Sequence, residues 1–420
     1  MFVSLDQSPA ALVKTAYAVT AASHRTSAEE PVGSKARRTF RDLRLFQVAR
    51  HPPVKAAFYP VVQEAFVVLT IAILLLVAGL PVKRATGKSL MAQCREMMVL
   101  WFREGVDPPS YYAQDLYKPG RLASASEYLT RFETKNGLLT ALNARRTRPK
   151  GGHEMNNKAL FSSLCRNADV AHAEILADCA EGRVKWRVNP ETIDYDLFCK
   201  RRTGMGAKGT RTFRYLGEHR FADNKDRVLS LSDIAAQLAA LKTPMLIQPW
   251  LRNHPALADI ARDSLLTVRV ITCLNEKDEP EVCLAMLRLL TMLEPEWKHL
   301  PDDEYAAPIN LTTGELGLLT GDSMATSVMR MARHPVNDAK IEGRFMPHWE
   351  AIQTIARRLH GHVRHRLMVG WDIAITPQGP VMLEGNTNFD VMFLQRVQDQ
   401  PASASRFGAL MGYHLDRLQA

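Results

Sequence analysis

The feature that most constrains the fold is the stretch 370–386 (GWDIAITPQGPVMLEGN), in which two apolar segments flank the residues TPQG. Proline favours the first position of a tight turn, and glycine favours a left-handed position near its end. The pattern therefore predicts a β-hairpin with a three-residue loop that pairs Thr376 with Pro380. In that register Asp372 lies directly opposite Glu384, and Asn386 falls on the same face as Glu384.

This placement of acidic residues indicates a binding site. Two carboxylates that face each other between apolar strands repel and lose hydration unless a cation lies between them. Oxygen ligands from Asp372, Glu384 and Asn386, with room for water and phosphate oxygens, are typical of a magnesium site. The alternative interpretation is a solvated acidic pair on an edge hairpin.

A glycine-rich segment is the second candidate site. Gly204, Gly206 and Gly209 fit the pattern G-x-G-x-x-G, but a dinucleotide-binding turn would continue into a helix. Here alternating threonine and aromatic residues follow, which predicts that the loop joins two strands of a hairpin. Lys200 precedes the loop, so backbone N–H groups and one lysine charge would hold phosphates there. The alternative is a surface hairpin with solvated basic residues.

Two apolar strands are predicted farther along the chain. Residues 245–251 (MLIQPWL) read as a strand that is stopped by Pro249 and presents backbone groups to an adenine edge. Residues 266–272 (LTVRVIT) alternate, which places Arg269 on one face with Thr267 and Ile271. An arginine in so apolar a strand points to solvent, to a carboxylate or to a bound anion.

These motifs together resemble a known family. Asp372, followed after eleven residues by Glu384 and then by Asn386, resembles the metal signature of ATP-grasp ligases. Lys200 with its glycine loop and the segment 248–251 occur in the family's order. The strings NHPALADI and TVRVIT are similar to the sugar-transfer-associated ATP-grasp subgroup, which is related to α-L-glutamate ligases. The resemblance covers roughly residues 151–400 and implies an α+β, ATP-grasp fold in which two α+β subdomains clamp ATP.

The resemblance also implies roles for individual residues. Lys158 and Lys200 would hold the ATP phosphates, and Arg269 would face the transferred phosphate or acyl-phosphate, so Arg269 and Lys200 are the predicted catalytic residues. Asp372 and Glu384 would bind one magnesium ion, and Glu384 with Asn386 a second. The other predicted nucleotide-binding residues are the loop glycines and the segment whose backbone would hold adenine: Gly204, Gly206, Gly209, Gln248, Pro249, Trp250 and Leu251. Gln248 stands where the family commonly has an acidic residue.

The implied function is an ATP- and magnesium-dependent ligase. It would form an acyl-phosphate from a carboxylate and join it to an amine or similar nucleophile, in the synthesis of polysaccharides or sugar conjugates. A small-molecule kinase with the same nucleotide site and a non-catalytic, membrane-recruited ATP-binding protein are the alternatives. No G-x-S-x-G or HExxH motif is present in the sequence, and no nucleic-acid partner is expected.

The N-terminal third differs in charge from the rest of the chain. Residues 1–150 contain 22 Lys and Arg against 11 Asp and Glu, so a phosphate- or membrane-directed surface should lie there. Residues 65–82 (AFVVLTIAILLLVAGLPV) carry no charge and are barely long enough to cross a bilayer. A simple span, a monotopic helix dipping into the inner leaflet and a buried helix all remain open.

We therefore predict three parts: a basic, partly flexible segment (1–60) that is loop-like over 25–55, a helical region (61–150) and an ATP-grasp domain (151–420). The expected location is the cytoplasm, peripheral or monotopic at an anionic inner membrane face, with 151–420 soluble alone. The six cysteines fit no zinc spacing and are expected to be reduced and mostly buried. His360, His362 and His365 are expected on a solvated helix face.

Overall fold

Two antiparallel β-sheets with packed helices form the fold, which confirms the predicted α+β class. The computed structural model describes residues 30–49, 66–144, 155, 157–203, 209–261, 264–290, 304–322 and 329–419. Its longer helices are α1 (Val32–Ala49), α2 (Phe66–Thr86), α3 (Leu90–Glu104), α4 (Pro108–Ala113), α5 (Lys158–Asn167), α6 (Leu231–Ala239), α7 (Trp349–Gly361), α8 (Val391–Gln398) and α9 (Arg406–Gln419). Short helical segments lie at Arg121–Glu127, 131–144, Pro190–Thr192, Pro255–Leu257, Ala258–Ala261 and Ala402–Ala404.

The first sheet has the strand order β2-β1-β7-β3-β4-β5-β6. Its strands are β1 (Ala177–Ala180), β2 (Arg183–Trp186), β3 (Leu197–Arg201), β4 (Arg211–Gly217), β5 (Arg220–Ala222), β6 (Val228–Ser230) and β7 (Met245–Pro249). Every second residue of β1 and β3 is buried, as expected for a sheet with one covered face. Helix α6 covers that face with Leu231, Ile234 and Leu238.

The second sheet has the strand order β11-β10-β9-β8-β12-β13. Its strands are β8 (Thr267–Leu274), β9 (Pro280–Leu290), β10 (Glu304–Pro308), β11 (Thr320–Gly321), β12 (Met368–Thr376) and β13 (Gly379–Asn386). Helix α7 packs on one face, whereas α8, α9 and part of α1 pack on the other. All nine residues of β12 are therefore buried.

Helices α2, α3 and α4 form a further hydrophobic cluster. Helix α3 begins at Ser89, whose side chain accepts a hydrogen bond from the Ala92 N–H, and ends at Gly105 in the left-handed conformation (φ 66°). Among the described helices, α2 alone is long and apolar enough to cross a membrane. Its two faces differ: Val67, Ile71 and Leu74 are buried, whereas Phe66 and Leu76 are exposed.

The segment predicted to be loop-like over 25–55 contains helix α1 instead. Its apolar residues Val32 and Ala36 lie in the same hydrophobic cluster as α9. Its buried basic residues are also satisfied, since Lys35 pairs with Asp416 at 2.8 Å and the Arg37 Nε donates to the Glu104 carbonyl at 2.8 Å. The basic composition suggested solvent exposure, but these tertiary contacts allow the charges to lie against the core.

The hydrophobic core crosses the boundary that the sequence suggests near residue 150. Leu129, Leu138 and Leu142 pack in one cluster with the inner face of the second sheet. Asn143 adds a polar link, because its Oδ1 accepts hydrogen bonds from the Leu367 and Met368 N–H groups at 2.8 and 3.1 Å. Residues before 151 are thus part of the second sheet's packing.

Two smaller expectations have different outcomes. All six cysteines are free and five are buried, in agreement with the expectation of mostly buried thiols. His360 was predicted to be solvated, and that prediction is wrong because the side chain is fully buried. Its ring bonds the Thr272 hydroxyl at 2.7 Å and the Arg366 carbonyl at 3.0 Å, so the histidine is a satisfied core residue.

Candidate functional site

The carboxylate hairpin is formed by β12 and β13, and its register differs in part from the prediction. Thr376 pairs with Gly379, so the turn contains two residues between paired positions where three were predicted. A register shift after Asp372 leaves Leu383 as an extra residue and restores the predicted pairing beyond it. Asp372 therefore does lie opposite Glu384, as predicted, but a bulge that was not foreseen places it there.

Gly385 lies between Glu384 and Asn386, the two candidate metal ligands of β13, and its lack of a side chain permits close packing of the strand. Gly385 pairs with Trp371, and a Cβ at this glycine would lie 2.7 Å from the Trp371 ring and 2.7 Å from the Met155 sulfur. Any larger residue would push the strand away from the tryptophan. The glycine lets β13 lie close to β12, while Glu384 and Asn386 share the opposite face.

Asp372 is buried and is held by two arginines. The Arg269 Nη2 donates to its Oδ2 at 2.7 Å, the Arg269 Nε bonds Oδ1, and the Arg288 Nη1 lies 3.7 Å from Oδ1. Burial by itself raises the pKa of this carboxyl, but the two guanidinium charges outweigh burial and hold the pKa below its usual value. Of the three directions open to Arg269 from the sequence, the structure gives the carboxylate partner.

Arg288 and its neighbours complete the charged cluster, and the sequence reasoning missed them. Arg288 bonds Glu304 at 2.7 Å, and its pKa is raised above the usual value by Glu304 and Asp372, which outweigh burial. Burial first, and then Glu304, raise the pKa of the nearby Asp322 to about 6. The signal was available, since Arg288 interrupts the apolar strand EVCLAMLRLL just as Arg269 interrupts its own strand.

The two predicted phosphate lysines lie together beside Glu384. Burial first, then the Lys158 charge, lower the pKa of Lys200 to about 8, and the Glu384 carboxylate opposes this shift. Burial also lowers the pKa of Lys158, again opposed by Glu384. The three side chains come from β3, α5 and β13, so the structure brings both sheets to one site.

Local backbone contacts explain how Lys158 reaches Lys200. Helix α5 begins at Lys158 because the Asn157 side chain accepts hydrogen bonds from the N–H groups of Ala159 and Leu160. Asn157 forms a β-bridge with Thr203, and the Lys158 N–H donates to the Arg202 carbonyl at 3.2 Å. The start of α5 is thereby fixed to the end of β3.

The glycine loop connects β3 and β4, which pair antiparallel as the predicted hairpin. Gly204 and Gly206 lie outside the described residues. Gly209 adopts the left-handed conformation with φ 74°, and its backbone lies close to the Arg201 side chain. The glycine at this position is therefore required by the backbone conformation.

The predicted adenine-binding segment 248–251 begins at the end of β7, which is an interior strand of the first sheet. Gln248 is buried, and its side-chain amide donates to the Ala173 carbonyl at 2.8 Å, so this side chain has a structural partner. The Trp250 N–H donates to the Asp196 carbonyl at 2.8 Å and is engaged within the protein. Pro249 and Leu251 are half-buried on either side of it.

Hard oxygen atoms suited to a cation are present, although in limited number. Asp372 and Glu384 supply carboxylates, and Asn386 supplies an amide whose nitrogen lies 3.3 Å from Glu384 Oε1. Among the residues that the structure describes, no group of three or more His, Cys, Asp or Glu side chains is arranged to hold a metal ion.

A comparison with protein families matches more than half of the chain. The family model of the sugar-transfer associated ATP-grasp proteins matches residues 137–405. The chain belongs to this family. It is therefore an ATP-grasp enzyme with the ATP-grasp fold, as the resemblance implied. The match begins before residue 150, in keeping with the shared core.

Several solved structures are similar to this ATP-grasp protein at low identity. D-alanyl-alanine synthetase A from Vibrio cholerae is 12% identical, with 63% of this chain and 66% of that chain covered and a TM-score of 0.37. VanG D-Ala:D-Ser ligase from Enterococcus faecalis is 13% identical, with coverages of 69% and 70% and a TM-score of 0.37. N5-carboxyaminoimidazole synthase from Aspergillus clavatus, solved with ADP and its ribonucleotide, is 12% identical, with coverages of 66% and 59% and a TM-score of 0.32. No curated protein matches the chain significantly.

Proposed function

We propose that this protein uses ATP and Mg²⁺ to convert a carboxylate into an acyl-phosphate, which an amine or similar nucleophile then attacks. The observation that carries the proposal is the pairing of Asp372 with Glu384 beside Lys158 and Lys200. Two carboxylates next to two lysines suit a magnesium–triphosphate complex, since the carboxylates would bind the metal and the lysines would bind the phosphates.

The donor set fits magnesium in its chemistry. Asp372, Glu384 and Asn386 would hold the ions through oxygen atoms, which is the ligand type that Mg²⁺ prefers. Bound Mg²⁺ would neutralise phosphate charge. Both oxygens of Asp372 accept hydrogen bonds from Arg269 in the structure. The arginine charge therefore favours the ionised carboxylate, which is the form that would bind Mg²⁺.

The protein's own residues then have separable tasks. Lys158 and Lys200 position the terminal phosphate, and Arg269, released from Asp372, together with Arg288 faces the negative charge that develops on it. A carboxylate oxygen of the first substrate attacks the γ-phosphorus, and the bond to the β-phosphate oxygen breaks to release ADP. The nucleophile next attacks the acyl carbon, loses a proton, and inorganic phosphate leaves.

The substrate class rests on the family alone. The family description points to sugar transfer, and we propose polysaccharide or sugar-conjugate synthesis as the setting. Membership of the ATP-grasp family supports ATP-dependent ligation in general, and hence a carboxylate as the phosphate acceptor.

Isotope transfer tests the proposal directly. With candidate carboxylates labelled with ¹⁸O, each turnover should move one ¹⁸O atom from the carboxylate into inorganic phosphate. The carboxylate oxygen that attacks phosphorus bridges to the acyl carbon, and it leaves with the phosphate when the nucleophile attacks that carbon. Release of phosphate should require both the carboxylate and the nucleophile. Phosphorylation of a hydroxyl substrate without such transfer would identify a small-molecule kinase and refute the ligase.

A further inference from the structure

An exposed apolar surface extends over α2 and α3. On α2 its members are Phe66, Leu69, Ile73, Leu76, Val77 and Leu80, and on α3 they are Met91, Val99 and Phe102. We call this set the outer face. Leu76 is 69% exposed and Met91 78% exposed, values usual for polar surface residues and unusual for large apolar side chains in such number.

The outer face follows helical periodicity, so it is one continuous stripe on each helix. Positions 66, 69, 73, 76 and 80 recur every three or four residues on α2. On α3, positions 91, 99 and 102 are spaced by eight and three residues and therefore share one side of the helix, with Arg95 between them. The two helices are adjacent, since the Gln93 side chain of α3 donates to the Gly79 carbonyl of α2 at 3.2 Å.

The opposite face of α2 is fixed to the protein. Val67, Ile71, Leu74, Ala78 and Val82 are all buried in one cluster with residues of α3 and α4. If α2 crossed a bilayer, these buried side chains would have to leave their packing against α3 and α4. A buried core helix, conversely, would not leave its other face exposed. Of the three alternatives that the sequence left open, the contacts disfavour the simple span and the buried helix. They favour a monotopic arrangement, in which the helix lies along the membrane surface where the sequence suggested a dip into the inner leaflet.

The charged side chains near the outer face indicate the kind of partner that it would bind. Lys83, Arg84, Arg95 and Arg103 are exposed on the same two helices. The described acidic residues of these helices are Glu96 and Glu104, and Glu96 is already bonded to Lys88 at 2.8 Å and to Tyr111 at 2.5 Å. The outer face therefore presents apolar side chains with a surplus of positive charge.

We propose that the outer face docks on an anionic lipid bilayer, with α2 and α3 lying in the plane of the headgroup–acyl boundary. The apolar stripes would enter the acyl region, and the four basic side chains would reach back to anionic headgroups. A second copy of the chain fits less well, because a symmetric interface would pair two outer faces that carry the same surplus of positive charge.

Vesicle co-sedimentation of the full chain tests the docking. The probes are phosphatidylcholine vesicles and phosphatidylcholine vesicles with about 30 mol % phosphatidylglycerol, at low and high salt. We expect binding to the anionic vesicles at low salt, with a bound fraction that falls when the salt is raised. Failure to bind anionic vesicles at low salt would overturn the proposal.

Matched variants locate the surface. Leu69→Glu, Ile73→Glu and Leu76→Glu together should lower the bound-to-free ratio at least tenfold. The control combines Val228→Glu, Val336→Glu and Phe345→Glu, which change similarly exposed apolar residues elsewhere and should bind like the parent. Both sets alter exposed positions, and circular dichroism melts check that each variant is folded. Equal losses in both sets would overturn the assignment to the outer face.

Two further measurements distinguish lipid docking from a protein interface, and an in-plane helix from a spanning one. The Leu69→Glu set should leave the molar mass from light scattering unchanged, whereas a shift from dimer to monomer without lipid binding would show a protein interface instead. Fluorophores attached at Leu69→Cys and Leu80→Cys should report equal depth. A spanning helix would separate the two labels by about 16 Å along the membrane normal, at 1.5 Å per residue, and would refute the in-plane arrangement.

Discussion

Strand β12 and helix α2 are both strongly apolar, yet the fold treats them in opposite ways. All residues of β12 are buried because helices cover both faces of its sheet, and the acidic residue in it, Asp372, is compensated by arginines. Helix α2 is covered on one side only and leaves large apolar side chains exposed. In each segment the residue that violates ordinary burial marks the candidate function: a buried carboxylate in β12 and exposed hydrophobic side chains on α2.

The largest effect is expected from removing residues 1–150. The second sheet would lose its cover from Val32, Leu129, Leu138 and Leu142, and each large buried side chain contributes about 2–5 kcal/mol. Together these contributions are as large as the typical stability of a domain, about 5–15 kcal/mol. We therefore expect residues 151–420 to be insoluble or unfolded by circular dichroism, contrary to the expectation from sequence. A folded, monomeric fragment with the melting temperature of the full chain would show that the shared cluster is dispensable.

Glu384→Ala tests the buried side of the comparison. The variant should keep its fold and lose at least about a hundredfold in ATP turnover, equivalent to ~2.7 kcal/mol, because the proposed ligand shared by both ions is removed. Phosphate release measures the effect. Glu279→Ala, an exposed acidic residue in the turn between β8 and β9, is the control and should behave like the parent. Turnover by Glu384→Ala at the parent rate would mean that the hairpin does not hold the metal.

A pair of isoleucines on α2 tests its two faces against each other. Ile71 is 3% exposed and Ile73 is 52% exposed, two positions apart in the same helix. Ile71→Ala should lower the free energy of unfolding by about 2–4 kcal/mol, because it leaves a cavity. Ile73→Ala should change it by no more than about 0.5 kcal/mol. Denaturant unfolding without lipid measures both, and similar losses would contradict the one-sided packing of α2.

The smallest effect concerns the pH dependence of ATP binding. Since the pKa of Lys200 is about 8, the side chain is mostly charged at pH 7 and mostly neutral at pH 9. The apparent KM for ATP should therefore rise about tenfold between these pH values if the charged form holds phosphate. Lys200→Arg should flatten the rise, because arginine stays charged throughout.

The control for the pH profile is Arg211→Ala, which removes an exposed positive charge from the partner strand β4. This variant should retain the pH-dependent rise. A profile that is the same in Lys200→Arg as in the parent would assign the pH dependence to another group.

The lowered pKa of Lys200 also predicts how the stability of the protein changes with pH. Folding lowers the pKa of Lys200 from its ordinary 10.5, so the unfolded chain binds more protons between pH 8 and 10.5. This residue's charge opposes folding below pH 8, and the opposition disappears as pH rises through that window. Lys200→Met should therefore raise the melting temperature at pH 7 more than at pH 10, while it impairs turnover.

The sequence by itself determined the local features of this protein. The hairpin turn, the alternation of β12 and β13 and the facing of Asp372 and Glu384 depend on residues close together in the chain, where turn chemistry and strand periodicity suffice. The extent of the turn was wrong by one residue, because a bulge at Leu383 leaves no recognisable pattern in the sequence. The family resemblance also rests on these local motifs and on their order.

Only the tertiary structure decided which distant segments meet. Residues from separate elements come together in three places: Lys158 and Lys200 lie near Glu384, Arg269 pairs with Asp372, and His360 is buried against Thr272. The same holds for α2, because hydrophobicity favours removal from water without specifying whether protein or lipid provides the cover. Packing against α3 and α4 buries one side of α2 and leaves the other exposed, and no local pattern in an entirely apolar run could have distinguished them.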